Sequence, residues 1–335
     1  MKSNRLLLTF AWLLVAWVGR AQYTEDILGA TYQQQTISMP DDYEGKTVST
    51  LVRKAEPQTG RRAILYIHGY NDYFFQAQLG DSVAAHGYNF YALDLRKYGR
   101  SLLPNQDAFY CRSLDEYFAD IDTAIALIQK EGSREIILMG HSTGGLISSY
   151  YLKHHPQAPV VGLALNSPFL DWNFGWFMEN VAIPTVSFLG KFFPDWIIQG
   201  TSGDASYAKS LLQTFKGEWT FDTSLKMPLG HPKKAGWIRA IHSAQQDIQD
   251  ECAIQCPILL LSSTRSYPET NEWHDEYMSS DIVLSVDDIQ KFGKQLGPNV
   301  TAREIEGGIH DLILSPKPTR DHTYQILFGW LDSIK

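Results

Sequence analysis

The chain has 335 residues with a formal net charge of −8, and 44% of its residues are hydrophobic. This length suffices for one large domain with a full core, or for a core domain with a sizeable insertion. The acidic balance argues against a protein drawn to nucleic acid or to an anionic membrane surface. Three cysteines exclude a disulfide framework, although Cys252 and Cys256 could form one bridge or remain buried thiols.

The N-terminus is typical of a signal peptide. Lys2 and Arg5 precede an apolar stretch over residues 6–18, and Gly19-Arg20-Ala21 places small residues at the −3 and −1 positions. Cleavage after Ala21 would move the net charge from −8 to −11. This stretch of 13 residues is too short to span a bilayer. We therefore expect an exported protein, periplasmic or extracellular, without a stable membrane span.

Short apolar runs alternate with amphipathic helical patterns along most of the remaining chain. One helix is predicted to begin at Ser113, which forms a capping box with Glu116, and to end at Gly132. This alternation predicts an α/β fold, with a mostly parallel central sheet and helices on both faces. The predicted buried strands cover residues 63–67, 90–93, 136–139, 160–165 and 257–261, followed by a β-rich run over 300–305.

The strand rhythm stops after Phe169 and resumes at Pro257. The intervening residues 171–250 are dense in Trp and Phe, which predicts an inserted helical cap. The predicted division is therefore a signal peptide at 1–21, a core formed by 22–170 and 251–335, and the cap at 171–250. Aromatic residues in such a cap more often form its own core than a substrate pocket.

A strand, a G-x-S-x-G motif and a helix follow one another at residues 136–151, with Ser142 at the centre of the motif. A nucleophilic serine sits on a sharp strand-to-helix turn so that its oxygen projects from the sheet. Glycines two residues to either side let the neighbouring backbone crowd that turn. The pattern predicts that Ser142 is a nucleophile.

Such a serine needs a general base and donors for the developing oxyanion. His310 follows the last predicted strand, where Gly307 and Gly308 allow the loop to turn over the sheet edge. The backbone N–H groups of Tyr70, in the loop after an earlier strand, and of Thr143, after the nucleophile, are the predicted oxyanion donors. His68 is expected to brace the first of these loops.

A third residue, an acid that orients the histidine, is expected between the strand at 257–261 and His310. Asp281 fits best, because an apolar run resumes there just before a helix that begins near Val286. The alternatives are Asp171, after the preceding strand, and the acidic residues Glu269, Asp275, Asp287 and Asp288.

Together these motifs resemble the serine aminopeptidase, monoglyceride lipase and lysophospholipase branch of the α/β hydrolases. The matching motifs are His68-Gly69, Asp94-Leu-Arg-Lys-Tyr-Gly-Arg-Ser101, Gly140-His-Ser-Thr-Gly-Gly145 and Gly308-Ile-His310. The resemblance implies an α/β-hydrolase fold, no cofactor, and acyl or peptide substrates bound beneath a variable cap. One departure is the stretch 262–280, which separates Asp281 from its strand.

The predicted chemistry is acyl transfer through Ser142, His310 and Asp281. We expect a small amphiphilic carboxylic ester as substrate, such as a lysophospholipid or a monoacylglycerol, with no nucleic-acid partner, cofactor or metal. The alternatives are a serine aminopeptidase of the proline iminopeptidase type and an inactive binding module on the same fold. An aminopeptidase needs an acid for the substrate ammonium, for which the cap offers Glu179, Asp195, Glu218 and Asp222. The oligomeric state stays open.

Overall fold

The computed structural model describes residues 23–200, 205–270 and 272–334. The predicted signal peptide lies outside these residues, as do residues 201–204 of the cap. Across the described parts of the chain, no helix combines the length and the apolar character that a membrane crossing requires.

A nine-stranded sheet runs through the described residues. Its strands are β1 Thr24–Asp26, β2 Gly29–Asp42, β3 Gly45–Lys54, β4 Ala63–Ile67, β5 Asn89–Asp94, β6 Ile136–His141, β7 Val160–Asn166, β10 Ile258–Ser263 and β11 Val300–Ile305. They lie in the order β1-β2-β3-β5-β4-β6-β7-β10-β11. The pairs β1–β2, β2–β3 and β3–β5 are antiparallel, and all the other neighbours are parallel.

The mostly parallel sheet confirms the predicted fold class, and each predicted strand lies within two residues of an observed one. The antiparallel strands β1 to β3 were missed. Most of their residues are polar and only part of each strand is buried, so neither a buried run nor a clean alternation is visible in the sequence.

Helices cover both faces of the sheet. In β4, Leu65 and Ile67 pack into one hydrophobic cluster, whereas Ile64 and Tyr66 pack into the other. The helices are α1 Ala77–Ala85, α2 Phe118–Lys130, α3 Thr143–His154, α4 Ile183–Gly190, α5 Ser206–Leu211, α6 Ala235–Asp250, α7 Val286–Gly293 and α8 Lys317–Ser333. The first cluster holds residues of α2, α3, α6 and α7, and the second holds residues of α1, α5 and α8.

The predicted capping box is present at the start of the α2 region. The Ser113 side chain accepts from the backbone, and the Glu116 carboxylate accepts from the Ser113 N–H. A 3-10 turn over Leu114–Tyr117 precedes α2 itself, and Gly132 follows it with φ +102°. The box thus satisfies backbone N–H groups that a helix start would otherwise leave unpaired.

The inserted cap contains a small sheet in addition to the predicted helices. It contains α4, α5 and α6, but also a two-stranded antiparallel sheet formed by β8 Ile197–Gln199 and β9 Lys233–Lys234. Most of its Trp and Phe side chains are exposed, whereas Trp172, Phe221 and Trp237 are buried. The aromatic residues of the cap that are more than half exposed are Phe174, Trp176, Phe177, Phe188, Phe192, Phe193, Trp196 and Phe215.

All three cysteines are free thiols. Cys111 is buried, while Cys252 and Cys256 are half-buried and unbridged. Burial raises the pKa of Cys256 to about 11, so this thiol is protonated at neutral pH.

Candidate active site

Ser142 sits on a sharp turn between β6 and α3, with φ 51° and ψ −119°. Residues other than glycine rarely adopt a positive φ, so the backbone at Ser142 is strained. The flanking glycines have a steric reason. A Cβ on Gly140 would lie 2.5 Å from the Gly144 carbonyl oxygen, and one on Gly144 would lie 2.3 Å from the Ile67 carbonyl oxygen. The motif therefore encodes a turn that no larger residue at these two positions could make.

A continuous chain of hydrogen bonds links Ser142, His310 and Asp281, all of them buried. The distance from His310 Nε2 to Ser142 Oγ is 3.0 Å, and that from His310 Nδ1 to Asp281 Oδ2 is 2.9 Å. An ionised carboxylate only accepts hydrogen bonds, so Nδ1–H donates to Asp281. Nε2 is then the acceptor for the Ser142 hydroxyl.

The stretch between β10 and Asp281 folds out and returns to the strand end. Ser266 and Asp281 form an isolated parallel bridge, and the Asp281 N–H donates to the Arg265 carbonyl. The second oxygen of Asp281, Oδ1, accepts from the Val283 and Leu284 N–H groups, each at 2.8 Å. The inserted residues therefore do not carry the acid away from the histidine.

The other candidate acids have different surroundings. Asp275 accepts from the Trp273 indole, and Asp287 and Asp288 lie in the first turn of α7. Asp171 accepts from the neighbouring backbone N–H, and burial raises its pKa. Glu269 lines the cavity described below. Within the described chain, the hydrogen bonds of the His310 ring go to Ser142 and Asp281.

The loop after β4 lies directly against the serine. A Cβ on Gly69 would come within 3.1 Å of the Ser142 Cβ. His68 braces this loop, since its Nε2 accepts from the Leu95 N–H at 3.1 Å and its Nδ1 lies 2.9 Å from the Gly69 carbonyl. Among the residues that the structure covers, neither the Tyr70 nor the Thr143 N–H donates a hydrogen bond to the protein. Both amides remain available to a ligand oxygen.

A second buried carboxylate, which the sequence analysis did not single out, supports the histidine loop. Asp311 accepts from Asn166 Nδ2 at 2.6 Å, and the Leu312 N–H donates to Asn166 Oδ1 at 3.1 Å. The ring of His141 lies 4.9 Å from that of His310, and burial lowers the pKa of His141, which keeps this second imidazole neutral. The only sequence signal for this support is that Asp311 directly follows His310.

A cavity of about 730 Å³ opens above Ser142 and His310, between the core and the cap. Tyr207 from α5 packs edge-on against His310 at 5.5 Å. Hydrogen bonds and an ion pair connect the cap to the loop after β4. The Asn71 side chain donates to the Met227 carbonyl and accepts from the Met227 N–H, and Lys226 pairs with Asp72 at 2.9 Å. No group of three His, Cys, Asp or Glu within the described ranges is placed to hold a metal ion.

The four cap acids considered for a substrate ammonium do not line this cavity. Asp195 pairs with Arg112 at 2.8 Å, and Glu218 pairs with Arg320 at 3.3 Å. Glu179 accepts from the Phe174 N–H, and Asp222 from the Ser224 N–H and hydroxyl.

The family model Hydrolase_4, described as serine aminopeptidase, S33, matches residues 58–317. The chain belongs to this S33 family. Its sequence is also 33% identical over 108 residues to the AB hydrolase superfamily protein YisY of Bacillus subtilis, a match covering 32% of this chain and 37% of YisY. The chain thus matches only about a third of the length of that relative.

Solved structures share the fold of this S33 chain at low sequence identity. A soluble variant of the Saccharomyces cerevisiae monoglyceride lipase, in complex with a substrate analog, has a TM-score of 0.64 and 16% identity, covering 94% of this chain and 99% of its own. A monoacylglycerol lipase of Paleococcus ferrophilus has a TM-score of 0.59 and 19% identity, covering 83% and 97%. A Bacillus coagulans carboxyl esterase has a TM-score of 0.61 and 13% identity, covering 90% and 98%. The chain is an α/β hydrolase.

Proposed function

We propose that the protein is a serine hydrolase that cleaves carboxylic esters, with Ser142 as nucleophile, His310 as general base and Asp281 as the residue that orients it. The supporting observation is the buried hydrogen-bonded chain from Asp281 through His310 to Ser142, with distances of 2.9 and 3.0 Å. Such an arrangement of nucleophile, base and orienting acid defines serine hydrolysis by geometry rather than by sequence position.

In the proposed mechanism, Ser142 Oγ attacks the ester carbonyl while His310 Nε2 takes the serine proton. The Tyr70 and Thr143 N–H groups stabilise the oxyanion of the tetrahedral intermediate. The protonated histidine then gives its proton to the leaving alcohol, which departs and leaves an acyl-serine. Water, deprotonated by the same nitrogen, attacks the acyl group and releases the carboxylic acid.

The cavity favours an ester over a peptide substrate. Apolar residues of the cap and of the region around Asp281 contribute to its wall, including Phe174, Leu229 and Val283. The four cap acids considered for a substrate ammonium lie outside this cavity, as described above. We therefore favour a small amphiphilic ester, such as a monoacylglycerol or a lysophospholipid. Two of the structural neighbours are named as monoglyceride or monoacylglycerol lipases, which agrees with this choice.

Parallel kinetics on aryl esters and aminoacyl anilides test the proposal. We expect ester hydrolysis to exceed anilide hydrolysis, and Ser142→Ala to lower ester turnover by roughly 10⁴-fold or more. The matched control is Ser333→Ala at the end of α8, which should keep wild-type turnover. Faster anilide cleavage would point to an aminopeptidase, and an active Ser142→Ala enzyme would remove Ser142 from the mechanism.

A further inference from the structure

A smaller side pocket of about 200 Å³ adjoins the main cavity, and Tyr70 and Lys233 belong to the walls of both. Since Tyr70 also belongs to the loop that lies against Ser142, the side pocket is close to the reacting centre. Aromatic and basic residues dominate its remaining wall. They are Phe109, Tyr110, His231, Lys234 and Trp237, and the wall also includes one acid, Asp107.

Lys233 is the distinctive group at this junction. Its side chain is half-buried, and its Nζ lies 5.6 Å from the centroid of the Tyr70 ring. Among the described residues no carboxylate forms an ion pair with it. Burial lowers the pKa of Lys233, as expected for an ammonium group that loses water without gaining a counter-ion.

The other lysines around the two cavities do have partners. Lys226 pairs with Asp72 at 2.9 Å, and Lys234 pairs with Asp107 and, at 3.8 Å, with Asp195. The acid in the wall of the side pocket, Asp107, is therefore already paired with Lys234. A desolvated cation beside the reacting centre is a costly arrangement, and a bound anion would offset that cost.

His231 can assist as a neutral donor. Burial lowers the pKa of His231, and the nearby Lys234 and Lys233 lower it further, against an opposite effect of Asp107. A neutral imidazole still carries one N–H that can donate to an oxyanion. Two acids line the main cavity among the described residues: Asp72, which pairs with Lys226, and Glu269.

We propose that the side pocket is an anion subsite of the substrate-binding cavity, in which Lys233 holds a phosphate or carboxylate group of an ester whose carbonyl lies at Ser142. The inference rests on the proposed function and narrows its substrate class from small amphiphilic esters in general to those that carry an anionic group. A lysine ammonium suits this role as a compact charge that hydrogen-bonds an oxyanion.

Three lauroyl esters test the subsite, because they share the acyl chain and differ in the leaving alcohol. The alcohols are glycerol, glycerol 3-phosphate and glyceric acid, so the set compares a neutral, a phosphate and a carboxylate group. For each enzyme, the measured quantity is the ratio of kcat/KM for an anionic ester to that for the neutral ester.

We expect Lys233→Met to lower this ratio by about 10- to 100-fold, the range of a hydrogen bond to a charged group. Lys233→Arg should restore most of it because the charge is kept. Lys216→Met removes an exposed cap lysine and should leave the ratio unchanged. A loss with both anionic esters indicates a general oxyanion site, and a loss with the phosphate ester alone identifies a phosphate site. An unchanged ratio in Lys233→Met overturns the proposal.

Binding of lauroylglycerol 3-phosphate to the Ser142→Ala protein, measured by calorimetry, separates the subsite from catalysis. We expect Lys233→Met in that background to weaken binding by a similar factor. An enzyme that hydrolyses none of the esters would refute the proposed function, whereas equal binding by the two proteins would refute the anion subsite.

Discussion

The two carboxylate oxygens of Asp281 accept hydrogen bonds from different groups. Oδ2 accepts from His310, while Oδ1 accepts from two backbone N–H groups at 2.8 Å. These amides hold the carboxylate in one orientation, so the histidine is held in the tautomer whose Nε2 can accept the serine proton.

Replacing this carboxylate tests its role at the level of one atom. We expect Asp281→Asn to lower turnover by about 10⁴-fold, because an amide can donate to Nδ1 and select the unproductive tautomer. The matched control is Asp287→Asn, an exposed acid in the first turn of α7, which should stay within a few-fold of wild type. If both variants kept full activity, Asp281 would not be the orienting acid.

Individual site residues differ in how far the sequence could predict their placement. Ser142 and His310 were identified by a motif and by chain order, and Asp281 by the resumption of an apolar run. The structure brings these three together. Asp311 and Asn166 were not predicted, because their pairing joins residues 145 positions apart and leaves no local pattern.

Among the elements, the turn after β5 links several parts of the fold through buried ion pairs. Lys97 lies in the motif Asp94–Ser101, and its φ is +65°, in the left-handed region that favours glycine. Its fully buried ammonium pairs with Asp42 at 2.7 Å and with Glu44. These pairs explain how a lysine is retained at a strained position.

Lys97→Met should therefore destabilise the protein even though methionine fits a buried site. We expect a loss of about 3–5 kcal/mol in the free energy of unfolding, since the two acids lose their cation. Urea unfolding measures it, with Lys317→Met as the control, because that exposed i,i+4 pair with Asp321 should contribute under about 0.5 kcal/mol. Equal midpoints for the two variants would contradict this explanation.

Sequence patterns predicted elements well where one physical signal dominated. The buried parallel strands and the capped α2 region carry strong local patterns, and both were confirmed. The antiparallel edge strands and the small cap sheet carry weak ones. Their pairing depends on partners elsewhere in the chain, such as Lys233–Lys234 for Ile197–Gln199.

At the scale of the whole molecule, the site exists only once distant segments meet. The β6–α3 turn, the loops after β4 and β11, and the returning stretch before α7 all reach the same edge of the sheet, where the carboxyl ends of the parallel strands lie. The cap closes over them. The composition of the cap did not predict which of its aromatic side chains are exposed, because the sequence pattern fits a buried and an exposed position equally well. Trp176, for example, is 72% exposed.

Labelling of the intact protein with a fluorophosphonate probe tests the central claim most directly. The probe reacts with a serine only where the assembled site activates it. We expect peptide mapping to place the adduct on Ser142 of the folded wild-type protein, and no labelling of Ser142→Ala or of denatured protein. A folded wild-type protein that stays unlabelled, or an adduct on another residue, would contradict the account.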